Sequence, residues 1–219
     1  MEFKVALIAG ATGMVGKELQ EQLLKSNHYR MVISLVRKQL PSNHPKLQQI
    51  IVNYDKLDAI ASQLIADDYY CCLGTTMKKA GSKENFAKVD YLYPVNLASI
   101  AEKNKAKKYL LISAMGADKN SSIFYNKVKG EVEEGISQKA IKSIYIFRPS
   151  LLVGDREEER VGEKIATKIM VPISKLMVGP LKNYKPIHAR EVAEGMINMA
   201  QKDEEGVHIF TSEEIKHIE

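Results

Sequence analysis

Tyr125 and Lys129 are the pair of residues whose types and spacing best suit proton-transfer chemistry in this chain of 219 residues. They lie four positions apart in an amphipathic stretch, so a helix would place both side chains on one face. A lysine ammonium beside a phenol stabilises the phenolate and lowers the phenol pKa from about 10 towards the working range. Such a tyrosine can donate a proton to a carbonyl oxygen, or accept one in the reverse direction. The pair therefore predicts acid/base chemistry.

Three glycines near the amino terminus have a spacing that suits phosphate binding. Gly10, Gly13 and Gly16 stand in the segment GATGMVG, between an apolar run and a helical pattern. Gly10 would allow a tight turn, Gly13 would let a pyrophosphate approach the backbone, and Gly16 would let helix and strand pack closely. The spacing is GxxGxxG rather than GxGxxG, but phosphates would still meet free N–H groups at a helix N-terminus. The segment predicts a dinucleotide-binding loop.

The end of the second apolar run indicates which dinucleotide binds. An acidic residue there would bind a ribose 2′-hydroxyl and repel a 2′-phosphate. In this chain Arg37 and Lys38 follow Val36, with no acid nearby. Two cations favour a 2′-phosphate, and arginine can bind it in a bidentate manner. We therefore expect NADP(H) rather than NAD(H), with a solvated loop as the alternative interpretation.

The elements that must position these residues alternate along the chain as strands and helices. Strands are expected over 3–9, 31–36, 49–54, 68–73, 109–113, 143–147 and 207–211, with helices over 57–66, 84–104, 124–138 and 189–201. Strands with few polar positions are typical of a parallel sheet that is buried on both faces. The alternation predicts an α/β fold with a doubly wound parallel sheet, the Rossmann fold.

The alternation breaks after Arg148 and Pro149. The segment DREEERVGEK is highly charged, and residues 165–178 predict an amphipathic helix that Pro172 interrupts. We expect a single domain over 1–219, in which 151–188 forms a small substrate-side extension of loop and helix. Such an extension would fold over the carboxyl ends of the strands, where open sheets bind ligands.

Composition and charge argue against several classes of function. No apolar run approaches the roughly 18 residues of a membrane helix, so no membrane interaction is expected. The net charge of +5 is modest and the lysines at 103–108 have no interleaved aromatic residues, so nucleic-acid binding is not expected. The five histidines are scattered, so no metal site is expected. The amino-terminal apolar stretch has no secretory cleavage pattern, and we expect a soluble cytoplasmic protein.

Two adjacent cysteines, Cys71 and Cys72, lie in the expected fourth strand. Neighbouring residues on a strand face opposite ways, which disfavours a bridge between them. We expect two buried, reduced thiols that are dispensable for chemistry, with a vicinal disulfide or a reactive thiol as the alternative.

Several blocks of this sequence resemble one known family. GATGMVG, YNKVK and FRPSLLVGDREEER are together similar to the extended and atypical short-chain dehydrogenases/reductases. CCLGTTMKKAG and GADKNSSIFYNKVKGEVE resemble its Tat-interacting oxidoreductase subgroup, and the likeness runs from about Val5 to Ala200. The resemblance implies phosphate contacts from Thr12, Gly13, Met14 and Val15, 2′-phosphate contacts from Arg37 and Lys38, and an adenine contact from Asn53. It also implies that Leu73, Gly74 and Thr75 pass beneath the cofactor and that Pro149 to Leu152 line the nicotinamide. Lys129, beside Tyr125, would contact the ribose, and Arg160 would close over the site.

The chain departs from the subgroup at two positions. The subgroup usually has an acid near the end of the third strand, where this chain has Asn53, and paired serines after the fifth strand, where it has Ser113 and Ala114. A hydroxyl at the latter position would orient the substrate carbonyl, which makes Ser113 the third candidate catalytic residue. A purely structural serine at the end of a strand is the alternative.

These features together predict an NADP(H)-dependent oxidoreductase that transfers a hydride to a small carbonyl substrate. A nucleotide-sugar epimerase or dehydratase uses the same machinery, but it usually needs a longer C-terminal substrate domain. A redox-sensing regulator that binds NADPH and controls a protein partner, with little or no turnover, is the rival from a different class.

Overall fold

The computed structural model describes residues 3–154 and 184–219. In these ranges the strands, numbered in chain order, are β1 Lys4–Ala9, β2 Tyr29–Val36, β3 Leu47–Ile51, β4 Asp68–Cys71, β5 Lys108–Ile112, β6 Ser143–Arg148, β7 Leu152–Val153, β8 Ile187–His188 and β9 Gly206–Thr211. The helices are α1 Met14–Lys25, α2 Met77–Ala80, α3 Lys83–Ala87, α4 Tyr93–Lys103, α5 Phe124–Ser137, α6 Ala189–Met199 and α7 Ser212–Ile215. A 3₁₀ helix spans Tyr54–Gln63, and a π-helical turn at Lys88–Leu92 joins α3 to α4.

Seven of the strands form one parallel sheet in the order β3-β2-β1-β4-β5-β6-β9. The chain runs from β1 outward through β2 and β3, then returns to place β4 on the other side of β1. This reversal of strand order leaves a crevice at the carboxyl ends of β1 and β4, which is where doubly wound sheets bind ligands. The predicted doubly wound Rossmann-type fold is confirmed.

Helices cover both faces of the sheet, and each face has its own core. Along β1, Leu7 and Ala9 point into a core that α4, α5 and the 3₁₀ helix close. The alternate residues Ala6 and Ile8 point into a second core, closed by α1 and α6. Period-two alternation of apolar residues on both faces explains why the strands read as continuous apolar runs.

Several ends of strands and helices differ from those that the sequence predicted. The third strand ends at Ile51 rather than at position 54, because the side chain of Asn53 caps the following 3₁₀ helix. The helix expected over 84–104 is interrupted by the π-turn, and α2, β7, β8 and α7 were not expected. The helix expected at 165–178 and the charged segment DREEERVGEK lie outside the described residues. The expected extension covers 151–188, and the structure describes residues 151–154 and 184–188 of it. Within these ranges β7 pairs with β8.

No helix in the ranges that the structure describes is both long and apolar enough to cross a membrane. The same ranges contain no group of three or more His, Cys, Asp or Glu side chains arranged to hold a metal ion.

Candidate cofactor and active site

The glycine segment forms a tight loop between β1 and α1. Gly10 has a φ of +89°, and a Cβ there would lie 2.5 Å from the carbonyl oxygen of Cys72 in the neighbouring strand-end loop. A Cβ on Gly16 would overlap the carbonyl oxygen of Gly10. Both positions therefore need glycine, because backbone packs directly against backbone as the loop turns into the helix.

The first turn of α1 is open to an anion. Gly13 precedes the helix and cannot cap it with a side chain, and no acidic residue stands in the first turn. Thr12 and Gly13 are exposed, while the side chain of Val15 is buried in the core beneath the helix. A contact from Val15 would therefore come from its backbone N–H. Uncapped N–H groups and the helix dipole suit a pyrophosphate at this position.

Arg37 and Lys38 are exposed immediately after the carboxyl end of β2. The buried Tyr54 phenol interacts with the backbone of Gly10 and with the charge of Arg37. Burial raises the pKa of Tyr54 above its usual value, and the positive charge of Arg37 opposes that rise. Arg37 and Gly10 thus both act on Tyr54, each at the carboxyl end of a strand, β2 and β1.

Asn53 has a local structural partner. Its side-chain oxygen accepts a hydrogen bond from the Asp55 N–H at 3.0 Å and begins the 3₁₀ helix. Its side chain is exposed beyond the end of β3. The capping bond explains an asparagine at this position without a ligand, and the adenine contact stays a prediction.

The loop after β4 is anchored by a buried acid that the sequence analysis did not identify. The Thr75 N–H donates to Asp90 Oδ2 at 2.8 Å, and Asp90 lies in the π-turn with 1% of its side chain exposed. A Cβ on Gly74 would lie 3.5 Å from Asp90 Oδ1, an ordinary contact. Leu73, Gly74 and Thr75 therefore have a fixed position at the carboxyl end of β4.

The predicted acid/base pair lies on α5. Tyr125 is 37% exposed, and its ring packs against the buried Phe86 ring with the two centroids 5.7 Å apart. One turn further along, the Lys129 side chain is 6% exposed and its Nζ lies 2.8 Å from Asp90 Oδ1. Burial by itself lowers the pKa of Lys129, but the charges of Asp90 and Tyr125 raise it by more. Lys129 therefore stays protonated, within electrostatic range of the Tyr125 hydroxyl.

The Asp90 carboxylate changes what Lys129 can do. The sequence predicted an ammonium whose charge acts on Tyr125. The structure pairs that ammonium with a carboxylate at 2.8 Å. An ammonium whose charge is balanced stabilises a neighbouring phenolate less than an unpaired one does.

Ser113 belongs to a second polar cluster at the carboxyl ends of β5 and β6. Its buried hydroxyl donates to Glu133 of α5, and Arg148 Nε donates to Glu133 Oε1 at 3.0 Å. The carboxylate of Glu133 is buried and has an arginine as its counter-ion. Because the serine proton is directed at Glu133, the geometry favours the structural interpretation of Ser113 over a role at a substrate carbonyl.

The segment after β6 passes close to the start of α1. Pro149 is buried, and its carbonyl oxygen accepts a hydrogen bond from the Met115 N–H at 3.0 Å. Leu152 packs against the core under α1 and α6, and a Cβ on Gly154 would lie 3.5 Å from Met14 Cγ. The segment implied to line the nicotinamide thus borders the glycine loop. Arg160 lies outside the described residues.

Two signals in the sequence could have revealed the missed acids. Asp90 stands four residues after the buried Phe86, on the same side of the predicted helix, and Glu133 stands four residues after Lys129. A charged residue on the buried face of a helix requires a partner, because an unpaired charge there costs several kcal/mol, on the order of the domain's net stability.

The two cysteines face opposite cores, as the sequence predicted. Cys71 packs in the core under α4 and α5, while Cys72 packs beside the core under α1 and α6. Both are free thiols, and burial raises the pKa of each. Protonated thiols are poor nucleophiles. That they are dispensable for chemistry stays a prediction.

Comparison with known proteins identifies the family. Residues 6–211 match the model of the NAD dependent epimerase/dehydratase family. The chain belongs to this family. Protein HTATIP2 of Rattus norvegicus is 37% identical over 172 residues, which cover 77% of this chain and 71% of that protein. Protein FMP52, mitochondrial, of Candida albicans is 34% identical over 201 residues, which cover 89% of this chain and 87% of that protein.

Solved structures support the same fold. The Bordetella bronchiseptica enzyme WbmH in complex with NAD+ superposes with a TM-score of 0.73 at 15% identity, covering 99% of this chain and 79% of that one. UDP-glucuronic acid 4-epimerase from Bacillus cereus in complex with NAD gives 0.68 at 17% identity, covering 96% and 78%. The predicted kinship with extended short-chain dehydrogenases/reductases is confirmed. At such identities the likeness shows the fold, and it assigns no reaction.

Proposed function

We propose that this protein is an NADP(H)-dependent oxidoreductase that reduces a small carbonyl compound, with Tyr125 as the proton donor and Lys129 as its charged neighbour. The observation that carries this proposal is a continuous set of contacts at the carboxyl edge of the sheet. Gly10 packs on the carbonyl group of Cys72. Thr75, three residues after Cys72, donates its N–H to Asp90, and Asp90 in turn pairs with Lys129. These contacts support a single crevice shared by the glycine loop and the Tyr125–Lys129 pair.

The residues present fit a dinucleotide. The exposed start of α1 would hold the pyrophosphate through Thr12, Gly13, Met14 and Val15, and Arg37 with Lys38 would hold the 2′-phosphate. The loop Leu73 to Thr75 would lie beneath the cofactor, Pro149 to Leu152 beside the nicotinamide, and Lys129 near the ribose. Bound NADPH would supply the hydride.

The proton comes from the chain itself. The Tyr125 hydroxyl would donate its proton to the substrate carbonyl oxygen as the carbonyl carbon is reduced to an alcohol. The Lys129 ammonium stabilises the phenolate that remains on Tyr125. Tyr125 is exposed enough for a substrate to reach it, whereas the Lys129 side chain is buried. We assign Ser113 to holding Glu133 rather than to the carbonyl.

Purified protein tests this proposal in two steps. Nicotinamide fluorescence measures whether NADPH binds, and NADPH consumption with a broad panel of aldehydes and ketones measures turnover. Binding together with turnover of at least one carbonyl compound is the expected result. Absence of NADPH binding would overturn the proposal entirely.

One observation favours a second candidate, a regulator that binds NADPH and controls a protein partner. The Lys129 charge is balanced by Asp90, which weakens its effect on a phenolate. A crevice of this kind could bind NADPH while supporting little catalysis. NADPH binding without turnover across the carbonyl panel would favour this candidate.

We also propose a reducing intracellular compartment, since Cys71 is a buried and Cys72 a half-buried free thiol. The sequence suggests the cytoplasm, whereas the Candida albicans relative carries "mitochondrial" in its name. Microscopy of the protein with a carboxyl-terminal fluorescent tag would distinguish the two.

A further inference from the structure

The strand β9 forms one edge of the main sheet. Among the described strands it pairs with β6 alone. The Gly206 N–H donates to the Lys142 carbonyl oxygen at 2.9 Å, on the β6 side, and the Thr211 N–H donates to a carboxylate of α7 instead. Backbone groups alternate in direction along a strand, so the N–H and C=O groups of Val207 and Ile209 point away from β6. Within the described residues, no strand pairs with this outer side.

The same two residues have apolar side chains that are nearly half exposed. Val207 is 43% exposed and Ile209 is 45% exposed. On the opposite face of the strand, Phe210 instead stacks on the Phe147 ring of β6, with the two centroids 5.4 Å apart. A shallow groove of about 600 Å³ runs along β9 and is bordered by α7 and Ile218. Outward backbone groups beside apolar side chains are what an added strand requires.

The two edges of the sheet differ in protection. Natural edge strands avoid unwanted pairing with lysine, proline, a bulge or a covering segment. At the β3 edge, the Gln49 side chain binds both backbone groups of Leu40 and fastens the segment after β2 beside that strand. The strand β9 has the sequence GVHIFT, without lysine or proline, and pairs with β6 in an unbroken register. Its apolar edge is therefore suited to pairing with a further strand.

The charge around β9 indicates which partner fits. Residues 202–219 contain six acidic side chains and two lysines, in a chain of net charge +5. Glu204 and Glu205 are exposed just before the strand, and Glu213 and Glu214 follow it on α7. Lys142 lies 3.2 Å from Glu205 and balances only part of this charge. The edge thus has acidic groups at both ends.

A second copy of this chain fits this edge poorly. If two β9 strands paired antiparallel about a two-fold axis, the acids before one strand would lie against the acids after the other. Like charges that face each other across paired strands are destabilising. A strand with cations at both ends and apolar residues between them complements both the charges and the side chains of β9.

We propose that the β9 edge binds an extended segment of a partner protein, in which apolar residues are flanked on both sides by lysine or arginine. The segment pairs with the outward backbone groups of Val207 and Ile209, and its apolar side chains contact theirs. Its cations meet the acids at the two ends of β9. In the sheet, β9 lies four strands away from β1 and the glycine loop, so this inference goes beyond the proposed function and does not depend on it.

Labelled peptides test the proposal on the whole protein. The probes are three fluorescein-labelled nonapeptides, Lys-Lys-Xaa-Thr-Xaa-Thr-Xaa-Lys-Lys, in which Xaa is Val, Ile or Phe. Fluorescence anisotropy should show binding of at least one of them, with an affinity that falls as the salt concentration rises. The same peptide with glutamate in place of lysine should bind at least tenfold more weakly, which corresponds to about 1.4 kcal/mol.

Two kinds of substitution separate backbone pairing from charge. Ile209→Pro removes an outward N–H and keeps those that point to β6, so the fold should persist while peptide affinity falls at least tenfold, or about 1.4 kcal/mol. Glu204→Gln combined with Glu205→Gln should weaken binding and flatten its salt dependence. Glu21→Gln combined with Asp58→Asn is the matched control, because it removes two exposed acids of α1 and the 3₁₀ helix. That control should bind with parental affinity.

Hydrogen exchange locates the bound peptide. The Val207 and Ile209 amides should exchange more slowly in the complex, while the Gly13 amide should be unchanged. Should Ile209→Pro fail to fold, Ile209→Lys places a cation on the exposed edge and should abolish binding as well.

Four outcomes would overturn the proposal. They are absence of binding by all three peptides, equal binding of the glutamate peptide, parental affinity in the Ile209 variants, and protection confined to amides outside β9. A concentration-dependent dimer that Ile209→Lys abolishes in sedimentation would assign the edge to a second copy and overturn it too.

Discussion

The Tyr125 hydroxyl is the single group on which the proposed proton transfer depends. Tyr125→Phe removes that hydroxyl and leaves the ring packed on Phe86, so folding and NADPH affinity should be unchanged. Turnover should fall by a factor on the order of 10² to 10⁴. Rates of NADPH consumption measure the effect once a substrate has been found.

Tyr91 provides the control for this substitution, because it is a tyrosine of similar exposure, 36%, on the π-turn. Tyr91→Phe should retain the parental rate. Parental turnover in Tyr125→Phe would contradict the acid/base role and favour the regulator.

Arg37 should determine the choice between the two nicotinamide cofactors. NADPH should bind at least tenfold more tightly than NADH, which corresponds to about 1.4 kcal/mol, a modest value for a charge-assisted phosphate contact. Arg37→Ala should reduce that preference, and fluorescence titration with both cofactors measures it. Arg30 stands at the opposite end of β2 and is also exposed, so Arg30→Ala should leave the preference intact. Equal affinities of the parental protein for NADPH and NADH would contradict this assignment.

Two glycine substitutions in the loop between β1 and α1 should affect folding and ligand binding separately. A Cβ on Gly16 would overlap the Gly10 carbonyl oxygen, so Gly16→Ala should lower the free energy of unfolding by about 1–3 kcal/mol. A Cβ on Gly13 would lie 3.3 Å from that oxygen, which a small shift can relieve. Gly13→Ala should therefore keep the parental melting temperature and lose NADPH affinity, because a methyl group there would hinder a pyrophosphate from approaching the backbone at the start of α1.

Thermal unfolding and NADPH titration of both variants check this contrast. Parental NADPH affinity in Gly13→Ala would show that phosphates do not bind at the start of α1.

Elements with a regular period were the predictable ones. The α5 helix begins at Phe124, as the sequence predicted, because its apolar residues follow the 3.6-residue period without interruption. The π-turn between α3 and α4 was missed, since the buried residues Phe86, Pro94 and Ala98 keep spacings of four or eight, as they would in one continuous helix. Yet that turn carries Asp90 into the interior.

A buried carboxylate at the amino edge of the sheet affects the stability of the whole molecule. Asp68 is fully buried, accepts a hydrogen bond from the Tyr29 hydroxyl at 2.6 Å and lies 3.3 Å from Lys4 Nζ. Its other oxygen has no hydrogen-bond partner among the described residues. Burial raises the pKa of Asp68 above its usual 3.8, and Lys4 and Tyr29 only partly oppose that.

Folding raises the pKa of Asp68, so the folded state favours the protonated carboxyl group. The stabilisation that follows is full below pH 3.8 and is lost as the pH rises through the raised pKa. Asp68→Asn resembles the protonated acid, so its free energy of unfolding at neutral pH should exceed the parental value. The difference should shrink towards pH 4. Urea unfolding of both proteins at several pH values measures it.

Asp67, the neighbouring acid, is the control for this pH dependence. It pairs with Lys107 at 3.2 Å at the surface and accepts the Val5 N–H at 2.8 Å, so Asp67→Asn should bring no gain. An Asp68→Asn protein that is less stable than the parent at neutral pH would show that ionised Asp68 stabilises the fold.

The order of strands and helices, the glycine loop and the shared face of Tyr125 and Lys129 followed from the sequence alone. Each depends on periodicity and turn chemistry among residues close together in the chain. The partners of Lys129 and Ser113 were decided only by the tertiary structure, because Asp90 and Glu133 reach them from the π-turn and from α5. What a buried charge does depends on the opposite charge that faces it, and folding alone brings the two together.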